Sequence, residues 1–144
     1  MPSVLADLHL AYHLLDRLMR RHLEEAAVSM SEALVLRLVA RNSRATITDL
    51  CMSSGLAAPT VSCIVTRLEH RGYVRRRRLG ADQRVVFVTP RKPGVVIASM
   101  VESAIDDVMT AVLAHATPRD VAGLGLVARA LDLIERPERP SPLD

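Results

Sequence analysis

Apolar positions recur at helical spacing along most of this chain, broken once by a short arginine-loaded segment between two runs of helix. Val4 to Ala26 reads as one long helix, with Leu5, Leu8, Tyr12, Leu15, Met19 and His22 in one stripe and Leu10, Leu14 and Leu18 in a second. A helix apolar on two sides needs two partners, so the spacing predicts that this helix joins a dimer interface as well as its own lobe. Ser29 with Glu32 is a capping-box pattern opening a second helix through Leu34, Leu36, Leu38 and Val39 to about Arg41. Asn42-Ser43-Arg44 is expected to turn. Beyond the middle of the chain, Pro90 or Pro93 starts a long helix carrying Val96, Met100, Val101, Ile105, Val108, Met109, Val112 and Leu113. Thr117-Pro118-Arg119-Asp120 combines an N-cap, an N1 proline and an N3 acid, and opens a last helix through Leu124, Val127, Leu131 and Ile134. Gly123 and Gly125 weaken its first turns unless close packing requires them.

The stretch from Thr46 to Pro90 has a different grammar. Thr46 with Asp49 caps a short helix, Gly55 supplies the positive φ of a tight turn, and Pro59 begins a second helix. Val61, Ile64, Val65 and Leu68 fall on one face of that helix and predict burial. The opposite face carries Thr60, Ser62, Cys63, Thr66, Arg67 and His70, small, polar or basic throughout. Gly72 stops the helix. Val74 to Leu79 can then extend as a strand and Val85 to Val88 as its partner, with Gly80-Ala81-Asp82-Gln83 as the turn between them. One helix packed on its inner side and polar on its outer side, followed by a hairpin, is the pattern of a winged helix-turn-helix that lies in a DNA major groove.

Charge sharpens this picture. From Arg67 to Lys92 the chain holds nine basic residues (Arg67, Arg71, Arg75, Arg76, Arg77, Arg78, Arg84, Arg91, Lys92) against Glu69 and Asp82, a net +7. The whole chain is +3, which leaves −4 for the remainder, so the positive charge is gathered in one segment as polyanion binding requires. Arg75, Arg77, Arg78, Arg91 and Lys92 are the expected phosphate contacts, and Thr60, Ser62, Cys63, Thr66 and Arg67 the expected base-edge or groove-wall residues. Aromatic content is only 2%, which disfavours single-stranded nucleic acid, where bases stack on aromatic rings.

These residues resemble the MarR (multiple antibiotic resistance regulator) family of winged-helix transcription factors. The resemblance is carried by Asp82-Gln83-Arg84 with Val88-Thr89, by Pro59-Thr60-Val61-Ser62, and by Arg67-Leu68-Glu69-His70-Arg71-Gly72-Tyr73-Val74. It implies a homodimeric repressor on a palindromic double-stranded DNA operator, with Arg84 reaching a minor groove and Asp82 orienting it. It also implies a small anionic or phenolic effector in a cleft beside the long helices, to which Tyr12, His13 and Arg17 are candidate polar contributors. The chain departs from the family pattern at Cys63, where many members have arginine, and at Ala57, where serine is common. The spacing from Thr89 to Gly94 is also longer than usual.

The expected architecture is mainly α with a small β-wing. It comprises an N-terminal dimerisation helix (1–28), a winged helix-turn-helix lobe (29–92), C-terminal dimerisation helices (93–136) and a tail (137–144). Other chemistry is thin. His9 and His13 stand four apart, a spacing that can hold a metal from one helix face, but no third ligand is set beside them, and exposed or interfacial histidines are the favoured reading. Cys63 beside Arg67 invites a redox reading, against the simpler view of a small groove-facing residue. A glycine phosphate loop, a nucleophile elbow and paired catalytic carboxylates are all missing, so an enzyme and a resident cofactor are not expected. No signal-peptide pattern or membrane-length apolar run is present, giving a cytoplasmic expectation with both cysteines reduced. The readings that compete with a MarR-type regulator are a metal- or redox-responsive winged-helix sensor and a winged-helix protein-interaction module.

Overall fold

The computed structural model describes residues 2–78, 80–81 and 83–135. The elements run α1 (Pro2–Leu23), α2 (Met30–Asn42), β1 (Ala45–Thr46), α3 (Ile47–Ser54), α4 (Ala58–His70), β2 (Val74–Arg78), β3 (Val86–Pro90), α5 (Lys92–His115) and α6 (Pro118–Glu135). The mainly helical architecture with a small β-wing is as the pattern predicted. The chain divides into two compact units, Met1–Val108 and Met109–Asp144. Leu79 at the expected strand end, Asp82, and the tail 137–144 lie outside the described residues.

Local chemistry accounts for the helix boundaries. Ser29 Oγ accepts from the Glu32 N–H at 3.2 Å while Glu32 Oε2 accepts from the Ser29 N–H at 2.9 Å, so two otherwise unpaired donors of α2 are satisfied reciprocally. Thr46 and Asp49 do the same for α3, and Thr117 and Asp120 for α6. These caps hold the carboxyls of Asp49 and Asp120 below their usual range, Asp49 chiefly through the Thr46 backbone N–H and Asp120 chiefly through the Thr117 hydroxyl. Gly55 ends α3 at φ 71°, a left-handed turn that glycine enters without a Cβ clash. Ala57 precedes α4 with no side-chain cap, and Pro59 occupies the first turn, where no backbone donor is needed.

The three-stranded antiparallel sheet has the order β1-β3-β2. Its register pairs Val74 with Pro90, Arg76 with Val88 and Arg77 with Phe87 on one side of β3, and Ala45 with Val88 on the other. The two-residue β1 was not expected from the sequence, and β3 runs to Pro90, two residues past the predicted end. Pro90 is tolerated because β1 reaches only as far as Val88, so its missing N–H breaks no ladder bond on that side. Val35, Leu36, Val39, Leu50, Val61, Ile64, Val65, Leu68, Val74 and Val88 form the core of the lobe. A second cluster of Leu23, Ala26, Val28, Ala33 and Val101 joins the end of α1 to α2 and α5.

The long helices are only partly covered. On α1, Met19 and Leu23 are buried, whereas Leu8, Leu10, Leu14, Leu15 and Leu18 are exposed in the single chain. Along α5 the buried line is Gly94, Ala98, Val101, Ala104 and Val108, leaving Val96, Met100, Met109 and Leu113 open. In the second unit, α6 exposes Leu124, Leu126, Leu131, Leu133 and Ile134. Among the described residues no single helix is long and apolar enough to cross a membrane.

Candidate nucleic-acid interface

Helix α4 is the centre of the site. Val61, Ile64, Val65 and Leu68 anchor it in the core, and this fixes which side chains look outward: Thr60, Cys63, Thr66, Arg67 and His70 are exposed and Ser62 is half-buried. Arg67 lies along the helix with Nη2 3.8 Å from Cys63 Sγ and Nη1 3.9 Å from Glu32 Oε1. Both cysteines are free thiols, Cys51 half-buried against the core and Cys63 exposed.

The arginines of the wing do not share one face. Strand alternation puts Arg76 and Arg78 on the side of β2 that carries the buried Val74, with Val86 and Val88 opposite them on β3. Arg75 and Arg77 are on the other side, across from Thr89 and Phe87, and both are exposed. Arg44, just before β1, lies over the Phe87 ring with its guanidinium carbon 5.3 Å from the centroid. Arg78 donates to the Gln83 carbonyl across the hairpin, and Gln83 donates to the Gly80 carbonyl at 3.0 Å, which closes the turn from within. Arg84 is exposed in that turn, and Arg91 and Lys92 are exposed at the start of α5. Among the described residues none of Arg75, Arg77, Arg78, Arg91 and Lys92 has a carboxylate within 4.0 Å. Asp82, expected to support the wing, falls outside the described residues.

Two further members of the basic run are engaged by the protein's own carboxylates. Arg71 pairs with the buried Glu32 at 3.6 Å, donates to the Ala27 carbonyl at 2.7 Å, and covers the Tyr73 ring at 4.9 Å. Arg76 pairs with Glu69: Glu69 Oε2 accepts from Nη1 at 2.7 Å and Oε1 accepts from the Arg76 backbone N–H at 2.8 Å. That backbone bond is the main reason the Glu69 carboxyl sits below its ordinary value. The +7 of the segment thus overstates the charge offered outward, since Glu69 neutralises Arg76 and Glu32 compensates Arg71. Sequence spacing gave no sign of either pairing.

The candidate effector residues stand elsewhere. Tyr12, His13 and Arg17 are all exposed on α1, and Tyr12 is 65% accessible in the single chain. His9 and His13 have their Nε2 atoms 3.0 Å apart. No group of three or more histidine, cysteine or carboxylate side chains poised for a metal occurs among the described residues.

A capped α3, a glycine turn, a half-exposed α4 and a β-hairpin define a winged helix-turn-helix protein. Residues 28–86 match the model described as the MarR family. Solved structures extend the likeness over the rest of the chain. NadR in complex with 4-hydroxyphenylacetate superposes with a TM-score of 0.72 at 24% identity, covering 92% of each chain. BpsR of Bordetella bronchiseptica, whose DNA binding is regulated by 6-hydroxynicotinic acid, gives 0.75 at 17% identity over 87% of this chain and 89% of its own. A mutant of MarR from E. coli complexed with operator DNA gives 0.78 at 19% identity over 90% and 93%. No curated protein matches the chain in sequence.

Proposed function

We propose that this chain is a cytoplasmic, homodimeric repressor that binds a palindromic double-stranded DNA operator. Residues 29–92 act as the DNA lobe, with 1–28 and 93–136 as the dimerisation arms. The observation that carries the reading is α4 itself, locked to the core by Val61, Ile64, Val65 and Leu68 and presenting Thr60, Cys63 and Arg67 outward beside an arginine-bearing wing. In this reading Arg75, Arg77, Arg78, Arg91 and Lys92 meet phosphates, Arg84 enters a minor groove with Asp82 behind it, and Thr60, Ser62, Cys63, Thr66 and Arg67 form the major-groove side. The exposed leucines of α1, and separately those of α6, are apolar surface that a second copy would cover and that a monomer rarely leaves bare.

A small aromatic acid or phenol is the effector class we propose, with Tyr12, His13 and Arg17 at its site. Support comes from the hydroxylated aromatic acids named for NadR and BpsR and from the exposure of these side chains on α1. The direct test is a gel shift on duplex DNA from upstream of the chain's own gene, repeated over a salt series. Phosphate contacts predict that log affinity falls linearly with log salt, and competition by excess shuffled duplex separates selective from general binding. Binding that ignores both salt and sequence would sink the regulator reading.

A further inference from the structure

Between the wing and α4, one side chain makes a set of contacts that no phosphate-binding arginine needs. Arg76 Nη1 is held by Glu69 Oε2 at 2.7 Å, while Nη2 donates to Thr66 Oγ1 at 3.0 Å and to the Ser62 carbonyl at 3.2 Å. The single hydroxyl proton of Thr66 goes to that same Ser62 carbonyl at 2.9 Å, so it is not available to donate to a base. Glu69 also takes the backbone N–H of Arg76, which fixes the strand as well as its side chain. Arg76 and Glu69 are half-buried, and an ion pair of that exposure contributes about 1 kcal/mol or less to stability. Its effect lies in geometry: the guanidinium spans three positions of α4 and ties the wing strand to the outward face of that helix.

We propose that Arg76, Glu69 and Thr66 form a clamp that sets the reading position of α4 relative to the wing. They are positioning residues, and Thr66 is removed from the base-contacting set. Base discrimination by α4 then falls to Thr60, Cys63 and Arg67, all exposed. The inference rests on the DNA-binding reading above and deepens it, because it separates residues that read from residues that aim.

The test uses the full chain and two duplexes: one recovered by selection with the wild-type protein, and one of the same composition shuffled. The paired substitution Glu69→Gln/Arg76→Gln removes the clamp without changing net charge. It is expected to lower the ratio of selected to shuffled affinity roughly tenfold, with the salt slope unchanged. Thr66→Val is expected to lower the same ratio across all base positions, and its effect should not add to that of Arg76→Gln. Arg76→Lys, which keeps the Glu69 pairing, should recover part of the ratio. A salt slope reduced by about one would make Arg76 a phosphate contact and overturn the clamp. Additive effects, or a Thr66→Val loss confined to one base pair, would overturn it as well. Wild-type protein that selects no duplex would instead overturn the regulator reading, and the clamp with it.

Discussion

Replacing Gly94 by alanine sets two effects of known sign against each other. Alanine is the better helix former, by about 1 kcal/mol in a helix interior and less in a first turn. Against it, a Cβ at Gly94 would lie 2.0 Å from the Tyr73 carbonyl oxygen, 2.8 Å from its carbon and 3.0 Å from its Cα, all backbone atoms. Clearing that contact requires α5 to retreat by about 1 Å or more, and overpacking of this kind typically costs about 1–3 kcal/mol. The retreat also strains the hydrogen bond from the Arg91 N–H to the same carbonyl, at 2.9 Å, whose loss costs about 1 kcal/mol more. The clash should win, leaving a net loss of about 1–3 kcal/mol. For a chain of this size that corresponds to a fall in Tm of about 3–9 °C. Thermal and urea melts at one fixed protein concentration would measure it, since a dimer's Tm moves with concentration. An unchanged or higher Tm would refute the close approach of α5 to Tyr73.

Gly123→Ala provides the opposite case, because its Cβ would meet nothing within 4 Å in α6; a gain of about 0.5–1 kcal/mol is expected in the same melts, and a loss would reveal an unseen neighbour. Glu69 has its carboxyl lowered in the folded chain, first by the Arg76 backbone N–H, so its contribution is complete above the ordinary carboxylate range and fades as pH falls through the lowered value. Stability of wild type and Glu69→Gln should therefore differ at neutral pH and converge in acid, and a constant difference would discount the pairing. Arg84→Ala should weaken operator binding by at least roughly tenfold with an unchanged circular dichroism spectrum; equal affinity would remove the wing turn from the proposed mechanism. Leu10→Lys on the exposed stripe of α1 should shift sedimentation toward the monomer, and an unaltered profile would place the second copy elsewhere.

What could be read from the chain beforehand was local. Ser29 with Glu32, Thr46 with Asp49 and Thr117 with Asp120 act across three residues, so their spacing in sequence is their spacing in space. The buried line of α4 was legible for the same reason, being one face of one helix. The division of the arginines was not. Alternation separates Arg75 and Arg77 from Arg76 and Arg78, but the core side is known only once Val74 and Val88 are placed. Arg71 reaches Ala27, 44 residues away, and no periodicity carries such a contact. Gly94 drew notice only for its spacing from Thr89, whereas its backbone is pressed against the Tyr73 carbonyl, a contact from outside its own helix.

The placement of the two tyrosines has an optical consequence. With no tryptophan in the chain, ultraviolet emission arises from Tyr12 and Tyr73 alone, one exposed on α1 and the other beneath the Arg71 guanidinium where α4 ends. Tyr12→Phe would leave a single native fluorophore at the junction of α4, β2 and α5. Quenching or brightening of that ring would then follow the exit of α4 in unlabelled protein, with no larger chromophore to mask it.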